Sequence, residues 1–225
     1  MDIAAPPGHD RPMMRRTPFD AVVFDLDGTL LDTESITHAA GIAAFAAQGI
    51  AVDPGFLHAL VGVDDATSAS RIATAFPAME MAAFARVWLA EVHGRQAAGI
   101  ALKPGAADLL HAIAQPKALA TSSQRASADR KLALTGLAVH FAHVITVDDV
   151  ARPKPAPDPF LRAAALLGAD PARCLAFEDS DTGAASARAA GFTVVQVPDM
   201  LLTDGRHAHV VAPDLMAGAR AVGLI

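Results

Sequence analysis

The chain has a single cysteine, Cys174, among its 225 residues, so no disulfide can close within it. That thiol stands in the apolar run Cys174-Leu175-Ala176-Phe177 and reads as buried and inert rather than catalytic. No apolar run approaches the roughly 20 residues that a membrane-spanning helix needs. An excess of positive charge is also missing. The net charge is −6 and the pI is near 5.8, which gives no footprint for nucleic acid or an anionic membrane. An anionic substrate would need a local cation against that overall field. The histidines show no metal-ligand spacing: His38, His58 and His93 read as surface or packing residues, and His207 and His209 as loop residues around Ala208. There is no internal repeat and no low-complexity tract beyond an alanine bias. Residues 1–16, MDIAAPPGHDRPMMRR, lack the apolar stretch of a secretory signal. They read as a flexible N-terminal tail, with the cytoplasm as the expected compartment and a monomer as the default state.

What is present is apolar sequence in short pieces. Hydrophobic residues make up 52% of the chain and the mean hydropathy is +0.33, ample for a buried core. Short continuous runs with β-branched residues fall at 21–24, 117–120, 144–147, 174–177 and 193–197, with Val210-Val211 after them. Such runs read as strands buried on both faces. Helical patterns alternate with them at 105–114, 159–167 and 182–190. Asp158 is the expected N-cap of the second of these, with Pro159 at its first position. Alternation of this kind implies a doubly wound, Rossmann-like parallel sheet. Residues 33–101 break the pattern, because Ala, Phe, Leu and Met recur there at helical spacing. They read as a helical cap of about four helices inserted after the first strand, with Phe45, Phe56, Phe84 and Trp88 as its core. The core would then comprise 17–32 and 102–225.

Ligands of such a sheet bind beyond the carboxyl ends of the strands. Asp25 and Asp27 end the first strand, Thr121 and Ser122 the second, Lys154 follows the third, and Glu178 and Asp179 end the fourth. Four acids on one rim repel unless a cation intervenes. A hard divalent ion such as Mg2+, taken by oxygen ligands, answers that need. Lys154 and the ion could together hold a phosphoryl group, Asp25 could attack phosphorus as a carboxylate nucleophile, and Asp27 could serve as acid and base. Taken singly, each motif has a plainer reading. Asp-x-Asp is commonly a solvated turn, Thr121-Ser122-Ser123 a helix cap, Lys154 an exposed turn lysine between prolines, and Glu178-Asp179-Ser180 a capping group. Their occurrence together, in order, each at a strand end, favours the site.

The ordered set Asp25-Leu26-Asp27-Gly28-Thr29-Leu30, Thr121, Lys154-Pro155-Ala156-Pro157-Asp158 and Glu178-Asp179-Ser180 resembles the haloacid dehalogenase superfamily. The likeness is to its helical-capped branch, near β-phosphoglucomutases and sugar-phosphate phosphatases. The resemblance implies that Asp25 is nucleophile and metal ligand, and that Asp27 is acid/base with its backbone carbonyl on the metal. It implies that Thr121, with the Ser122 backbone, binds phosphoryl oxygens, that Lys154 bridges phosphoryl group and Asp25, and that Asp179 and Glu178 bind Mg2+. Asp27 argues against dehalogenase chemistry. Lys103, the only lysine near the cap, lies at its exit, which disfavours a Schiff-base phosphonatase. Mutase-like members carry a cap histidine and an arginine after a Gly-Val-Ser turn. Here those positions hold Thr37 and Asp65, with His38 one residue off and Arg71 well beyond. The reading is therefore a phosphatase of a small phosphorylated metabolite, a sugar phosphate by class. A phosphosugar mutase or a non-enzymatic phosphate-binding module is the alternative. Asp64 and Asp65, in the turn after the second cap helix, are candidate specificity residues.

Overall fold

The computed structural model describes residues 17–60 and 65–225, with the side chains of 65 and 66 left out. The expected N-terminal tail and Asp64 lie outside the described residues, as does the Asp65 side chain. Strand β1 (Ala21–Phe24) is followed by α1 (Glu34–Ala46), α2 (Pro54–His58), α3 (Asp65–Ala75) and α4 (Met81–Ala98). Then come α5 (Ala106–Ala112), β2 (Lys117–Ala120), α6 (Arg125–Thr135), β3 (His143–Ile145) and α7 (Asp158–Leu167). The chain closes with β4 (Cys174–Glu178), α8 (Asp181–Ala189), β5 (Thr193–Gln196), β6 (Val210–Val211) and α9 (Leu215–Ala221). The six strands form one sheet in the order β3-β2-β1-β4-β5-β6, every pair parallel.

Alternation along each strand divides the core in two. Val22, Phe24, Leu119, Leu175, Phe177 and Val195 face α5, α6 and α9 through Leu109, Leu110, Leu132 and Leu215. Phe24 stacks on Phe177 of the adjacent strand at 5.0 Å between centroids. Ala21, Val23, Ala118, Ala120, Cys174, Ala176 and Val194 face α7 and α8, meeting Phe160, Ala163, Ala184 and Ala187. Part of the alanine bias is thus explained, since small residues on this face let α7 and α8 lie close and the large rings of Phe160 and Phe192 fill what remains. Cys174 is buried here, and burial pushes its thiol up to about 11.

A third cluster belongs to α1–α4 alone. Ala44, Phe45, Leu57, Ile72, Met79 and Phe84 are buried together, with Phe56, Phe76 and Trp88 against them. Phe45 sits centrally, 4.9 Å from the Phe76 ring and 4.8 Å from that of Phe84. The helical group joins the sheet by two adjacent crossings. Asp32 N–H donates to the Ala101 carbonyl at 2.9 Å and Lys103 N–H to that of Leu30 at 2.9 Å. Among the described residues no helix is long and apolar enough to cross a membrane.

Two sequence expectations are corrected. The third strand ends at Ile145 rather than reaching residue 147, because Thr146 caps a 3-10 turn over Val147–Asp149, its hydroxyl donating to the Asp149 carboxylate at 2.8 Å. Asp158 is the first residue of α7 and Pro157 holds the cap position; the Asp158 carboxylate accepts from Arg152 instead.

Candidate active site

The chain runs β1, β2, β3 to one side of the sheet and then returns to place β4 on the other side of β1. The crevice at that reversal, beyond the carboxyl ends of β1 and β4, is where such sheets take ligands. Asp25 follows β1, and its N–H donates to the Phe177 carbonyl of β4 at 2.9 Å. Strand pairing therefore sets Asp25 beside Glu178, which is buried at the end of β4, and the half-buried Asp179 after it. Carboxylate oxygens of Asp25, Glu178 and Asp179 lie within 4.8 Å of one another.

Lys154 enters from the loop before α7, 129 residues from Asp25. Its side chain is 3% exposed, which removes the reading as a surface turn residue. Its ammonium donates to Asp25 Oδ1 at 2.7 Å and to Glu178 Oε1, and stands 5.3 Å from the centre of the Phe160 ring. Gly28 turns the chain away from Asp27 at φ +82, and a Cβ there would run into the Asp179 carboxylate. At Gly183, in the first turn of α8, a Cβ would fall on the Glu178 carboxylate. The Ser180 hydroxyl both accepts from Gly183 N–H at 3.1 Å and donates to Glu178 Oε2 at 3.2 Å, so one hydroxyl caps α8 and binds the Glu178 carboxylate.

Burial holds the Asp25 carboxyl up at about 7 against the pull of Lys154, with Glu178 and Asp27 adding to the rise. Burial, followed by Asp25 and Glu178, lifts Asp179 well above the ordinary carboxylate range. Lys154 is raised despite its burial, because Asp25 and Glu178 hold the proton on it. Three hard oxygen donors, two of them driven toward protonation by burial and mutual repulsion, fit a hard divalent cation.

Thr121, buried at the end of β2, donates its N–H to Ile145 and accepts the Ser123 N–H on Oγ1 at 3.0 Å. Its O–H remains a donor for an anion. Ser122 is exposed. Asp27 lies apart from the three-carboxylate cluster. Its Oδ1 accepts from Thr33 Oγ1 at 2.8 Å and Lys131 Nζ at 2.6 Å, and its Oδ2 accepts from Ser123 Oγ at 2.7 Å and Lys131 Nζ at 2.7 Å. Sequence reasoning missed this grip: Ser123 reads as a helix cap, and Thr33 and Lys131 draw no notice. One signal was available, since Ala128, Lys131, Leu132 and Thr135 fall on a single helical stripe, and a lysine on a buried stripe asks for a partner.

Glu34, at the start of α1, was also missed; burial raises it, and Asp27 and Asp199 add to that. Lys103 pairs with Asp199 at 2.5 Å, and Arg71 donates to the Ala59 carbonyl at 3.2 Å.

The family model for haloacid dehalogenase-like hydrolases matches residues 19–191. Protein CbbY of Rhodobacter capsulatus is 36% identical over 221 residues, covering 88% of this chain and 95% of that one. Fructose-1-phosphate phosphatase YqaB of Escherichia coli is 34% identical over 186 residues, covering 80% of this chain and 96% of that one. A solved hydrolase of Deinococcus radiodurans, with phosphate and sodium bound, superposes at a TM-score of 0.79 with 29% identity, covering 93% of this chain and 98% of that one. The chain belongs to the haloacid dehalogenase-like hydrolases.

Proposed function

We propose that this haloacid dehalogenase-like hydrolase is a magnesium-dependent phosphatase of a small phosphorylated metabolite, a sugar phosphate by class, working through a phosphoryl group carried on Asp25. The observation that carries the reading is the position of Lys154. Its buried ammonium grips Asp25 and Glu178 at the mouth of the β1/β4 crevice, within a cluster of carboxylates that includes Asp179. Among the relatives, one is named for its action on fructose 1-phosphate. That supports the substrate class.

Asp25, Asp179 and Glu178, with the Asp27 backbone carbonyl, would hold Mg2+, which would supply positive charge beside the phosphoryl oxygens. Lys154 adds its own charge, and Thr121 O–H and the Ser122 N–H donate to the same oxygens. In the first step an Asp25 carboxylate oxygen bonds to phosphorus, the bond from phosphorus to the leaving oxygen breaks, and that oxygen takes the proton of Asp27. In the second step water bonds to phosphorus, Asp27 takes its proton, and the bond from Asp25 to phosphorus breaks. The helical group α1–α4 would close over the crevice and exclude bulk water during both steps.

The test is phosphate release from a panel of sugar phosphates, nucleotides and phosphorylated acids, with and without Mg2+. Release that requires Mg2+ and vanishes in Asp25→Asn is expected. Retained turnover in Asp25→Asn would sink the mechanism.

A further inference from the structure

We infer that Lys131 is a positioning residue for the acid/base carboxylate: with Ser123 and Thr33 it holds Asp27 out of the cation cluster. The inference rests on the phosphatase reading above. A carboxylate that must exchange a proton with the leaving oxygen cannot also be spent as a metal ligand. Asp27 stands only two residues from Asp25, near three carboxylates placed to take a cation. Something must hold it aside, and the structure shows what does.

Lys131 lies 104 residues from Asp27, on α6, with its side chain 8% exposed. A helix lysine whose only task was solvation would keep its ammonium in water. This one brings the charge inward and divides it over both Asp27 oxygens and Ser123 Oγ, at 2.6, 2.7 and 2.9 Å. The third contact matters. Because an ammonium can only donate, Ser123 Oγ accepts from it and must turn its own proton to Asp27 Oδ2. Lys131 therefore fixes the carboxylate directly and again through the hydroxyl it orients. Thr33, at the entry to α1, supplies the last bond; no backbone amide of α1 takes its hydroxyl as a cap. Ser123 also donates its N–H to Thr121 Oγ1, so the same residue links the clamp to the side chain that would bind phosphate.

The experiment compares p-nitrophenyl phosphate with a sugar phosphate in the full chain with Mg2+. Nitrophenolate leaves without a proton, so the first transfer from that substrate does not need Asp27, whereas hydrolysis of the phosphorylated Asp25 does. Lys131→Met should keep a rapid burst of nitrophenolate while steady-state turnover falls about 10- to 100-fold, part of the effect of an acid/base group. Turnover of the sugar phosphate, which needs Asp27 in both steps, should fall at least as far with no burst. Ser123→Ala should give the same pattern more weakly, and it carries the test if Lys131→Met does not fold. Equal losses in burst and steady state, or no loss in an active preparation, would overturn the role of Lys131 alone. Wild-type protein inactive on every phosphate ester would remove the phosphatase reading and this inference with it.

Discussion

At the residue scale the site is a problem in charge. Asp25, Glu178 and Asp179 share a small buried volume, and one ammonium, that of Lys154, bridges the first two. Lys154→Met removes the only cation seen to contact them among the described residues. Breaking a buried pair costs about 3–5 kcal/mol when the orphaned charge has no other partner. Protonation of Asp25, already held up at about 7 by burial, will relieve part of that cost. Urea unfolding of Lys154→Met should therefore show a loss of less than about 3 kcal/mol at neutral pH, growing as pH rises. Activity should suffer more than stability, with kcat/KM falling about a hundredfold or more and inorganic phosphate inhibiting more weakly, because Lys154 touches Asp25, the carboxylate proposed to attack phosphorus. A variant within threefold of wild type in kcat/KM would show that the ammonium serves the fold and not the chemistry.

At the scale of elements, legibility followed burial. The central strands were readable because parallel strands covered on both faces keep continuous apolar runs, and β1, β2 and β4 do so at Ala21–Phe24, Lys117–Ala120 and Cys174–Glu178. Their ends carry the acids, so Asp25, Glu178 and Asp179 could be found by position. β3 was misjudged by two residues because Val147 continues an apolar run that the Thr146–Asp149 turn cuts. The grip on Asp27 stayed hidden for another reason: Thr33, Ser123 and Lys131 lie far apart along the chain, and hydrogen bonds spanning 96 and 104 residues leave no local pattern that names Asp27 as the partner. The four helices α1–α4 were legible as helices by their apolar spacing, and the Phe45 cluster explains why they hold together without the sheet's core. Phe45→Ala should destabilise that cluster by about 3–5 kcal/mol. If the cluster shapes a lid, kcat/KM for a sugar phosphate will fall further than for p-nitrophenyl phosphate, whose small ester needs less enclosure. Equal losses on both substrates would mean that the helices stabilise the protein without selecting among esters.

For the whole molecule, the cation should act as a folding ligand whose effect depends on pH. Burial holds Asp25 up at about 7 from an ordinary value of 3.8, and Asp179 also rises, so the cation-free folded state keeps protons that the unfolded chain gives up. The share from Asp25 is complete below about pH 4 and is lost as pH rises through about 7, and Asp179 acts in the same direction. Divalent cation binding runs the other way. It needs the carboxylates ionised, so its apparent affinity climbs over the same interval. Mg2+ at a hundred times its dissociation constant adds about 2.7 kcal/mol, or about 5–10 °C in Tm for a chain of this length. Thermal unfolding with and without Mg2+ should therefore show a gain of that order near pH 8 that shrinks toward pH 5. Asp179→Asn should abolish most of the gain at pH 8 and raise the Tm of the cation-free protein there, because it removes a repelling charge together with a ligand. A Mg2+ effect equal at both pH values, or unchanged in Asp179→Asn, would place the ion's binding outside the Asp25–Glu178–Asp179 cluster.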